Sequence, residues 1–272
     1  MTSPFKPSGI ITLTTDFGQQ DPFVAVMKGS ILTRFPGARL IDLTHEIVVH
    51  WPAEAGFWLA RSFEYFPPGT VHAAVVDPGV GTAREIVVVS ARGHVLIAPD
   101  NGLLAPVVAR CSDARTVRLA APVLTELKID RVSPTFHGRD IFAPIAAELA
   151  AGRRSPDSLG PPASALIPSW VEEPERRGGQ IVGTVITIDH FGNLITNIDA
   201  GLIKTFEHPE VRAGSHTFRL LRTYGDVRPG EYLALINAFE VLEIACAERS
   251  AAESLGLNRG APVVVQEGAH RG

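Results

Sequence analysis

The amino-acid sequence predicts an α/β fold in two parts: an N-terminal layered α/β domain with a mostly parallel sheet, and a smaller C-terminal β domain. Three observations support this prediction. In the first half, short runs rich in Ile and Val alternate with segments of helical periodicity. In the second half, short strand-like runs follow one another between Gly and Pro residues. Between the halves, Gly152–Gly179 contains five prolines, which is typical of an ordered linker.

Near-continuous apolarity in the first half predicts five strands that are buried on both faces. Because strands interleaved with helices form layers with right-handed crossovers, the sheet is expected to be mostly parallel. The predicted strands are Ile10–Thr14, Arg39–Leu43, Val71–Val76, Ile86–Ser90 and Val95–Ala98.

Three helices are predicted in the same half. Apolar residues recur at helical spacing in Pro22–Phe35, where Asp21 is expected to be the N-cap and Pro22 the first helical residue. Trp51–Phe66 is expected to form a second helix, and a third covers about Ile141–Ala151.

The second half is predicted to contain five strands and one short helix, a pattern typical of a small barrel or sandwich. A boundary near residues 160–178 separates a domain at 1–165 from one at 178–272. The predicted strands are Ile181–Ile188, Thr217–Leu221, Tyr232–Ile236, Val241–Ala245 and Pro262–Gln266, and the helix is Ala251–Leu255.

Charge and composition narrow the classes of function. Among 272 residues, 25 Lys and Arg stand against 29 Asp and Glu, a formal net charge of −4, so neither nucleic acid nor a membrane is an expected partner. Two cysteines exclude a disulfide framework and a four-thiolate zinc site. No apolar run approaches the roughly 20 residues of a membrane span, and residues 1–9 lack the apolar core of a signal peptide. We therefore expect a cytoplasmic protein.

Several signatures of catalysis are missing from the sequence. It has no G-x-x-x-x-G-K-[ST] phosphate loop and no G-x-S-x-G turn, and Gly79-Val80-Gly81 lacks the third glycine of a dinucleotide fingerprint. His45 and His50 are five residues apart, not the four of a zinc-binding helix, so they would not face one metal. We expect no metal site.

Four aspartates come at the ends of predicted strands: Asp16, Asp42, Asp77 and Asp100. In an open α/β sheet, the carboxyl ends of the strands form the ligand crevice. A carboxylate there can accept both hydroxyls of a ribose, so four acids in one rim predict a polyhydroxylated or cationic small ligand. The alternative for each aspartate is that it opens a turn beside glycine or caps a helix.

Two further segments carry residue types suited to binding or catalysis. His137 precedes a predicted helix, whose N-terminal field favours a neutral, base-competent ring. The run Asp189-His190-Phe191-Gly192-Asn193 combines an acid, an aromatic ring and an amide, which suits stacking on a purine and reading its edge. The alternatives are a histidine satisfied within a loop and a tight turn at Phe191-Gly192-Asn193.

Together these segments resemble the S-adenosylmethionine hydroxide adenosyltransferase family, adenosine-forming hydrolases related to fluorinases and chlorinases. The resemblance implies an N-terminal α/β domain, a C-terminal β-barrel, and a homotrimer with ligand sites at the subunit interfaces. It also implies hydrolysis of S-adenosyl-L-methionine to adenosine and L-methionine by attack of water or hydroxide on C5′, without a cofactor. The matching motifs, in the expected order, are Thr15-Asp16-Phe17-Gly18, Met27-Lys28-Gly29, Asp77-Pro78-Gly79-Val80-Gly81-Thr82, Pro99-Asp100-Asn101-Gly102-Leu103, Phe136-His137-Gly138-Arg139-Asp140, Asp189-His190-Phe191-Gly192-Asn193 and Leu242-Glu243-Ile244-Ala245.

The resemblance implies that Asp77, Arg84 and His137 activate the attacking water. Asp77 would orient the water by accepting its hydrogen bond. Arg84 stays protonated and would stabilise the nucleophile electrostatically. His137, if neutral, is the better candidate for taking the proton, because the ordinary pKa of histidine lies near working pH.

The resemblance also implies substrate contacts in the first domain. Asp16 would hold the ribose hydroxyls, and Asp21 would bind the methionine amine. Trp51 would lie along the ligand.

In the second domain, Phe191 and Asn193 would serve the adenine end, within the run that begins at Asp189. Ala238 replaces a family serine that touches the methionine carboxylate, so one hydroxyl donor is lost. Glu240 stands where relatives carry glycine, and its charge would repel that carboxylate if it pointed inward.

Two other functions remain open from the sequence. A halide-using relative would make a 5′-halogenated adenosine, but halogenating members carry an uncharged residue at the position of Asp77, whose carboxylate would repel halide. A non-catalytic protein that senses S-adenosylmethionine or adenosine is the other alternative. Loss of one of the three water-activating residues would have favoured it, and all three are present.

Overall fold

The structure is a computed structural model that describes residues 5–268, and the chain divides into two compact units, 1–170 and 171–272. Residues 1–4 of the segment in which no signal peptide is expected lie outside the described residues. Within 5–268, no helix has the length and apolar character needed to cross a membrane.

The first unit is built on a six-stranded sheet with the order β2-β1-β3-β5-β4-β6. The pairs β2–β1, β1–β3 and β3–β5 are parallel, whereas β4 is antiparallel to both β5 and β6. This confirms a mostly parallel sheet. The strands are β1 (Ile10–Thr15), β2 (Arg39–Thr44), β3 (Val71–Val75), β4 (Ile86–Ala91), β5 (His94–Pro99) and β6 (Arg115–Arg118).

Helices cover both faces of this sheet. Alternate residues of β3 point to opposite faces, so Ala73 packs in the core that holds α1 and α5, and Ala74 packs in the core that holds α2 and α3. Three elements, α3, α4 and β6, were not predicted from the sequence, because each is only four to six residues long. The helices are α1 (Phe23–Arg34), α2 (Pro52–Ser62), α3 (Ala105–Arg110), α4 (Ala121–Glu126) and α5 (Ala143–Ala150), with a π-helical turn at Gly138–Phe142 ahead of α5.

Two local predictions for the first unit are wrong. Asp21 does not cap α1, because Pro22 occupies the N-cap position and no side chain bonds the free N–H groups there. Strand β2 is not buried on both faces: it lies at the edge of the sheet, where only one neighbour covers it, and Ile41 is exposed.

The second unit is an antiparallel, nearly closed barrel, as expected. Its main path runs β11-β10-β14-β8-β9-β13-β12, with β7 added beside β8, and Leu221 N donates to Ala234 O across the gap between its two ends. Four of its elements, β7, β9, α6 and β10, were not predicted from the sequence. The elements are β7 (Glu175–Arg177), β8 (Gln180–Ile188), β9 (Leu194–Asp199), α6 (Ala200–Ile203), β10 (Pro209–Ala213), β11 (His216–Arg219), β12 (Tyr232–Ile236), β13 (Val241–Cys246), α7 (Ala251–Leu255) and β14 (Pro262–Glu267).

Candidate active site

A cavity of about 320 Å³ lies beyond the carboxyl ends of β1 and β3 in the first unit. This is the position at which parallel sheets bind ligands, because chain segments diverge there and leave a crevice. Among the residues that line it are two acids, Asp16 and Asp77, and the imidazole of His137. The loops after β1 and β3 and the segment before α5 therefore meet at one cavity.

Asp77, Arg84 and His137 form one hydrogen-bonded group. Arg84 Nε lies 3.0 and 2.9 Å from the two carboxylate oxygens of Asp77, and Arg84 Nη2 donates to Asp77 Oδ2 as well. The same Nη2 lies 2.7 Å from His137 Nδ1. The side chains of Asp77 and Arg84 are only 5% and 11% exposed, so this ion pair is shielded from water.

The loop between Asp77 and Arg84 reaches the segment that carries His137 because it contains glycine at one position. Gly81 has φ +78, and a Cβ built on it would lie 2.1 Å from the carbonyl oxygen of Pro134. Any side chain there would push the two segments apart. Gly81 thus permits the close approach that places Arg84 against the imidazole.

The proton position on His137 follows from its contact with Arg84. A guanidinium has no acceptor, so Nδ1 must accept the hydrogen bond and the neutral ring carries its proton on Nε2. Burial and the nearby charge of Arg84 lower the pKa of His137, against weaker opposing effects of Asp77 and Asp140. The ring is therefore neutral, as the sequence suggests, and in this tautomer Nε2 is a donor, whereas the sequence makes His137 the better candidate for the base.

Asp16 lines the cavity and is anchored by the chain beyond β2. Its Oδ2 accepts a hydrogen bond of 2.9 Å from the backbone N–H of His50, a residue with φ +62. This bond orients the carboxylate and leaves it further acceptor capacity, because a carboxylate has about four lone-pair sites. Asp16 can thus accept hydroxyl groups of a ligand.

Three phenylalanines for which the sequence indicates no role form an aromatic wall of the cavity. Phe23 and Phe136 pack edge to face with centroids 5.4 Å apart, and Phe17 lies 6.0 and 5.9 Å from them. Aromatic faces attract cations, and two carboxylates share the same cavity. The cavity suits a positively charged ligand, and only the folded chain brings these rings together.

The four predicted acids do not share one rim, which corrects the sequence interpretation. Asp16 and Asp77 line the cavity, but Asp42 lies within β2 and contacts Lys28. Asp100 is buried, and its Oδ1 accepts the backbone N–H of Ile167 at 2.9 Å. Asp42 and Asp100 thus make structural contacts away from the cavity, and neither side chain caps a helix.

The remaining predicted residues of the first unit lie outside the lining of the cavity. Asp21 is exposed. Trp51, half-buried, packs edge to face against Trp170 at 5.6 Å, and its Nε1 is buried without a hydrogen-bond partner. Trp51 follows His50, which does line the cavity.

In the second unit, Asp189 organises the predicted purine-binding run. Its Oδ1 accepts the backbone N–H groups of Phe191 and Asn193, each at 2.9 Å, and its Oδ2 accepts the amide of Asn193 at 3.0 Å. The run is thus a tight turn as well as a candidate binding segment. It presents the Phe191 ring with 76% exposure, and Ala238 is also exposed.

No group of three or more His, Cys, Asp or Glu side chains within residues 5–268 is arranged to hold a metal ion. His45 and His50 also differ in environment, because His45 is buried and hydrogen-bonded to Thr15, whereas His50 is exposed.

Comparisons with known proteins cover both units of the chain. The family model for the N-terminal domain of SAM hydroxide adenosyltransferases matches residues 11–160, and the model for the C-terminal domain matches residues 183–264. The (R)-S-adenosyl-L-methionine hydrolase of Salinispora tropica is 37% identical over 260 residues, which cover 93% of this chain and 96% of that protein. A fluorinase from Actinoplanes sp. is 30% identical over 227 residues, covering 72% and 73% of the two chains. The crystal structure of an uncharacterized conserved protein from Thermotoga maritima has a TM-score of 0.86 at 32% identity, covering 94% of this chain and all of that one.

Proposed function

This chain belongs to the SAM hydroxide adenosyltransferase family, and we propose that it is a hydrolase that converts S-adenosyl-L-methionine to adenosine and L-methionine. The observation that carries this proposal is the buried Asp77–Arg84–His137 group at a cavity lined by acids and aromatic rings. A sulfonium is a cation, and such a cavity is complementary to it.

The reaction forms one bond and breaks another at C5′. The water oxygen attacks C5′ in line with the sulfur, and the C5′–S bond breaks with its electron pair going to sulfur. Methionine leaves as a neutral thioether, so no acid has to protonate it. Attack turns the water into an alkyloxonium, a strong acid, so a carboxylate is basic enough to accept its proton. Positioning of the water in a site closed to bulk solvent is the main requirement.

The three members of the buried group differ in what they do in this reaction. Asp77 accepts a hydrogen bond from the water and then takes its proton. His137 donates Nε2–H to the water oxygen and fixes its position opposite the sulfur. Arg84 holds both partners, because its guanidinium binds the carboxylate through a fork and donates to Nδ1 of the imidazole. No metal or redox cofactor takes part in this scheme.

Other residues bind the substrate in this proposal. Asp16 accepts the ribose hydroxyls, which its contact with His50 supports. Asp21 binds the methionine amine, and Trp51 lies along the ligand.

Residues of the second unit serve the two ends of the substrate. Asp189 holds the turn from which Phe191 and Asn193 bind adenine, and the backbone at Ala238 faces the methionine carboxylate. The chain acts as a cytoplasmic homotrimer, in which the first unit of one subunit and the second unit of its neighbour complete each site. The family resemblance and the exposed ring of Phe191 support this arrangement.

The buried carboxylate of Asp77 favours hydrolysis over halide transfer, although fluorinases are among the relatives. Halide would have to sit against a negative charge in a site of low dielectric constant. Water carries no charge, and it can donate a hydrogen bond to Asp77 while it accepts one from His137.

The test is a product analysis with separated sulfonium epimers, because the Salinispora relative is named for the (R) epimer. Incubation in ¹⁸O-water is expected to give methionine and adenosine labelled at the 5′-oxygen, with the (R) epimer consumed faster. Saturating chloride is expected to give no 5′-chloro nucleoside. Absence of adenosine, with tight binding of S-adenosylmethionine, would instead identify a binding protein.

A further inference from the structure

The segment that carries Asp16 is held at three points by the segment that follows β2. Thr15 Oγ1 lies 2.8 Å from His45 Nδ1, Gly18 N donates to the carbonyl oxygen of His45 at 2.8 Å, and Asp16 Oδ2 accepts the N–H of His50. Two of these three contacts are made by His45, one through its ring and one through its backbone.

The direction of the hydrogen bond between Thr15 and His45 follows from the contact at the other ring nitrogen of His45. Asp42 Oδ1 lies 3.0 Å from His45 Nε2, an electrostatic contact rather than a straight hydrogen bond, and it favours a proton on Nε2. His45 Nδ1 then accepts the O–H of Thr15. The oxygen of Thr15 in turn accepts the N–H of Phe17 at 3.2 Å, so the hydroxyl both donates and accepts.

The outer end of this chain of contacts is charged. Lys28 Nζ, on α1, lies 2.6 Å from Asp42 Oδ2, and both side chains are about one-third exposed. Thr15 and His45, in contrast, are fully buried. A path of polar contacts therefore runs from the surface at Lys28 to the backbone on both sides of Asp16.

We propose that Thr15 and His45 are positioning residues that fix the Asp16 carboxylate for the ribose hydroxyls, with Asp42 and Lys28 as their outer support. The inference rests on the proposed function, since it assumes that Asp16 binds the nucleoside. The buried contacts limit rotation of the segment 15–18, so the carboxylate is oriented before the ligand arrives. Binding then requires less ordering of the site.

Strand β1 supplies a matched control for the test. Thr12 Oγ1 lies 2.8 Å from His72 Nδ1, a buried Thr–His contact of the same length on the same strand, and neither residue lines the cavity. Thr12→Val and Thr15→Val each remove one buried hydroxyl with little change of shape. A merely structural role predicts the same result from both.

The experiment measures adenosine binding by calorimetry, kcat and KM by chromatography, and melting temperature. We expect Thr15→Val to weaken adenosine binding and raise KM by about tenfold, the effect of one buried hydrogen bond, with kcat within about threefold of the unmodified protein. Thr15→Ser keeps the hydroxyl and is expected to restore binding. Thr12→Val is expected to lower the melting temperature without weakening adenosine binding.

A second variant decides the matter if Thr15→Val does not fold. Asp42→Ala, at the partly exposed end, is expected to weaken adenosine binding about threefold, because the ring loses part of its support. Adenosine affinity unchanged in every folded variant would overturn the proposed positioning role. If the unmodified protein itself neither binds adenosine nor forms it, the proposed function fails instead, so the two failures are distinguishable.

Discussion

His137 accepts a hydrogen bond from Arg84 at Nδ1, and its neutral ring therefore donates from Nε2. Burial and the charge of Arg84 keep the pKa of His137 below its ordinary value of 6.5, so the neutral form persists at physiological pH. Protonation of His137 would put a hydrogen on Nδ1, facing the guanidinium of Arg84, and the hydrogen bond between the two side chains would be lost. Burial and Arg84 together thus keep the imidazole neutral, and Arg84 alone decides the position of its proton.

Two amide substitutions of His137 distinguish a role as hydrogen-bond donor from a role as base. His137→Gln places an N–H group near the position of Nε2, whereas His137→Asn keeps an acceptor near Nδ1 and loses that donor. We expect kcat to fall by about 10²–10⁴ in His137→Asn, and His137→Gln to retain about tenfold more activity. Calorimetry is expected to show S-adenosylmethionine binding within a few-fold of normal in both.

An equal fall of kcat in His137→Gln and His137→Asn would contradict the donor role and favour His137 as the base that takes the proton of the water. The pH profile gives a second measurement. Because the pKa of His137 is lowered, we expect the acid limb of kcat to lie below pH 6.5. A limb above 6.5 would contradict the assignment.

Among the connections between elements, the turn between β12 and β13 holds a residue other than glycine at positive φ. Asn237 Oδ1 accepts the backbone N–H of Phe239 at 2.9 Å, and Glu240 N donates to the carbonyl of Asn237 at 3.0 Å. These bonds place Glu240 at φ +58, where glycine has no steric penalty and glutamate does. Glu240 is exposed, so its side chain gains no buried contact in return.

Glu240→Gly is therefore expected to stabilise the protein by about 0.5–1 kcal/mol, the strain relieved less the added flexibility of the unfolded chain. Thermal unfolding would detect this as a rise of a few degrees. Glu240→Ala is the control, because alanine loses the charge but keeps the strained conformation. An equal rise in both variants would attribute the effect to charge and not to the backbone.

The stability of the whole molecule is expected to depend on a buried pair of histidines in the first unit. His72 Nε2 lies 3.2 Å from His94 Nδ1, and burial, with a smaller effect of His94, lowers the pKa of His72 to about 3. Between pH 6.5 and about 3, the unfolded chain binds a proton at His72 that the folded chain does not. The free energy of unfolding therefore falls as the pH is lowered through this range, and this contribution is fully present above pH 6.5.

Denaturant unfolding from pH 7 to pH 4 measures this effect. His72 alone is expected to contribute a slope of up to about 1.4 kcal/mol per pH unit. His72→Asn, which keeps a polar partner for Thr12, is expected to be less stable at pH 7 but to show a shallower slope. An unchanged slope in this variant would assign the acid sensitivity to other groups.

The proposed trimer makes a prediction about mixtures of inactive subunits. Asp77→Asn removes the carboxylate proposed to activate water in the first unit, and Asn193→Ala removes the proposed adenine contact from the second. If each site combines units from two subunits, mixed trimers regain some intact sites, so co-refolded variants are expected to regain hydrolysis. Light scattering that showed a fully active monomer would contradict the arrangement.

Sequence patterns correctly predicted the strands whose burial can be judged from their own residues alone. Near-continuous apolar runs identified β1, β3 and β5, which are buried along their whole length. The same pattern was misleading for β2, because its position at the edge of the sheet depends on the order of the strands. Strand β10 has too few apolar residues to be recognised alone, and it is recruited by pairing with β11 and β14.

For the candidate site, the sequence by itself determined the family and the fold class and supplied candidate residues for binding and activation, because short motifs carry those features directly. Only the tertiary structure decided which of the four acids share a cavity, that three phenylalanines form its wall, and that Arg84 fixes the proton of His137 on Nε2. The physical reason is that these properties belong to contacts between groups distant in the chain. Arg84 and His137 are 53 residues apart, and no local pattern records that one donates to the other.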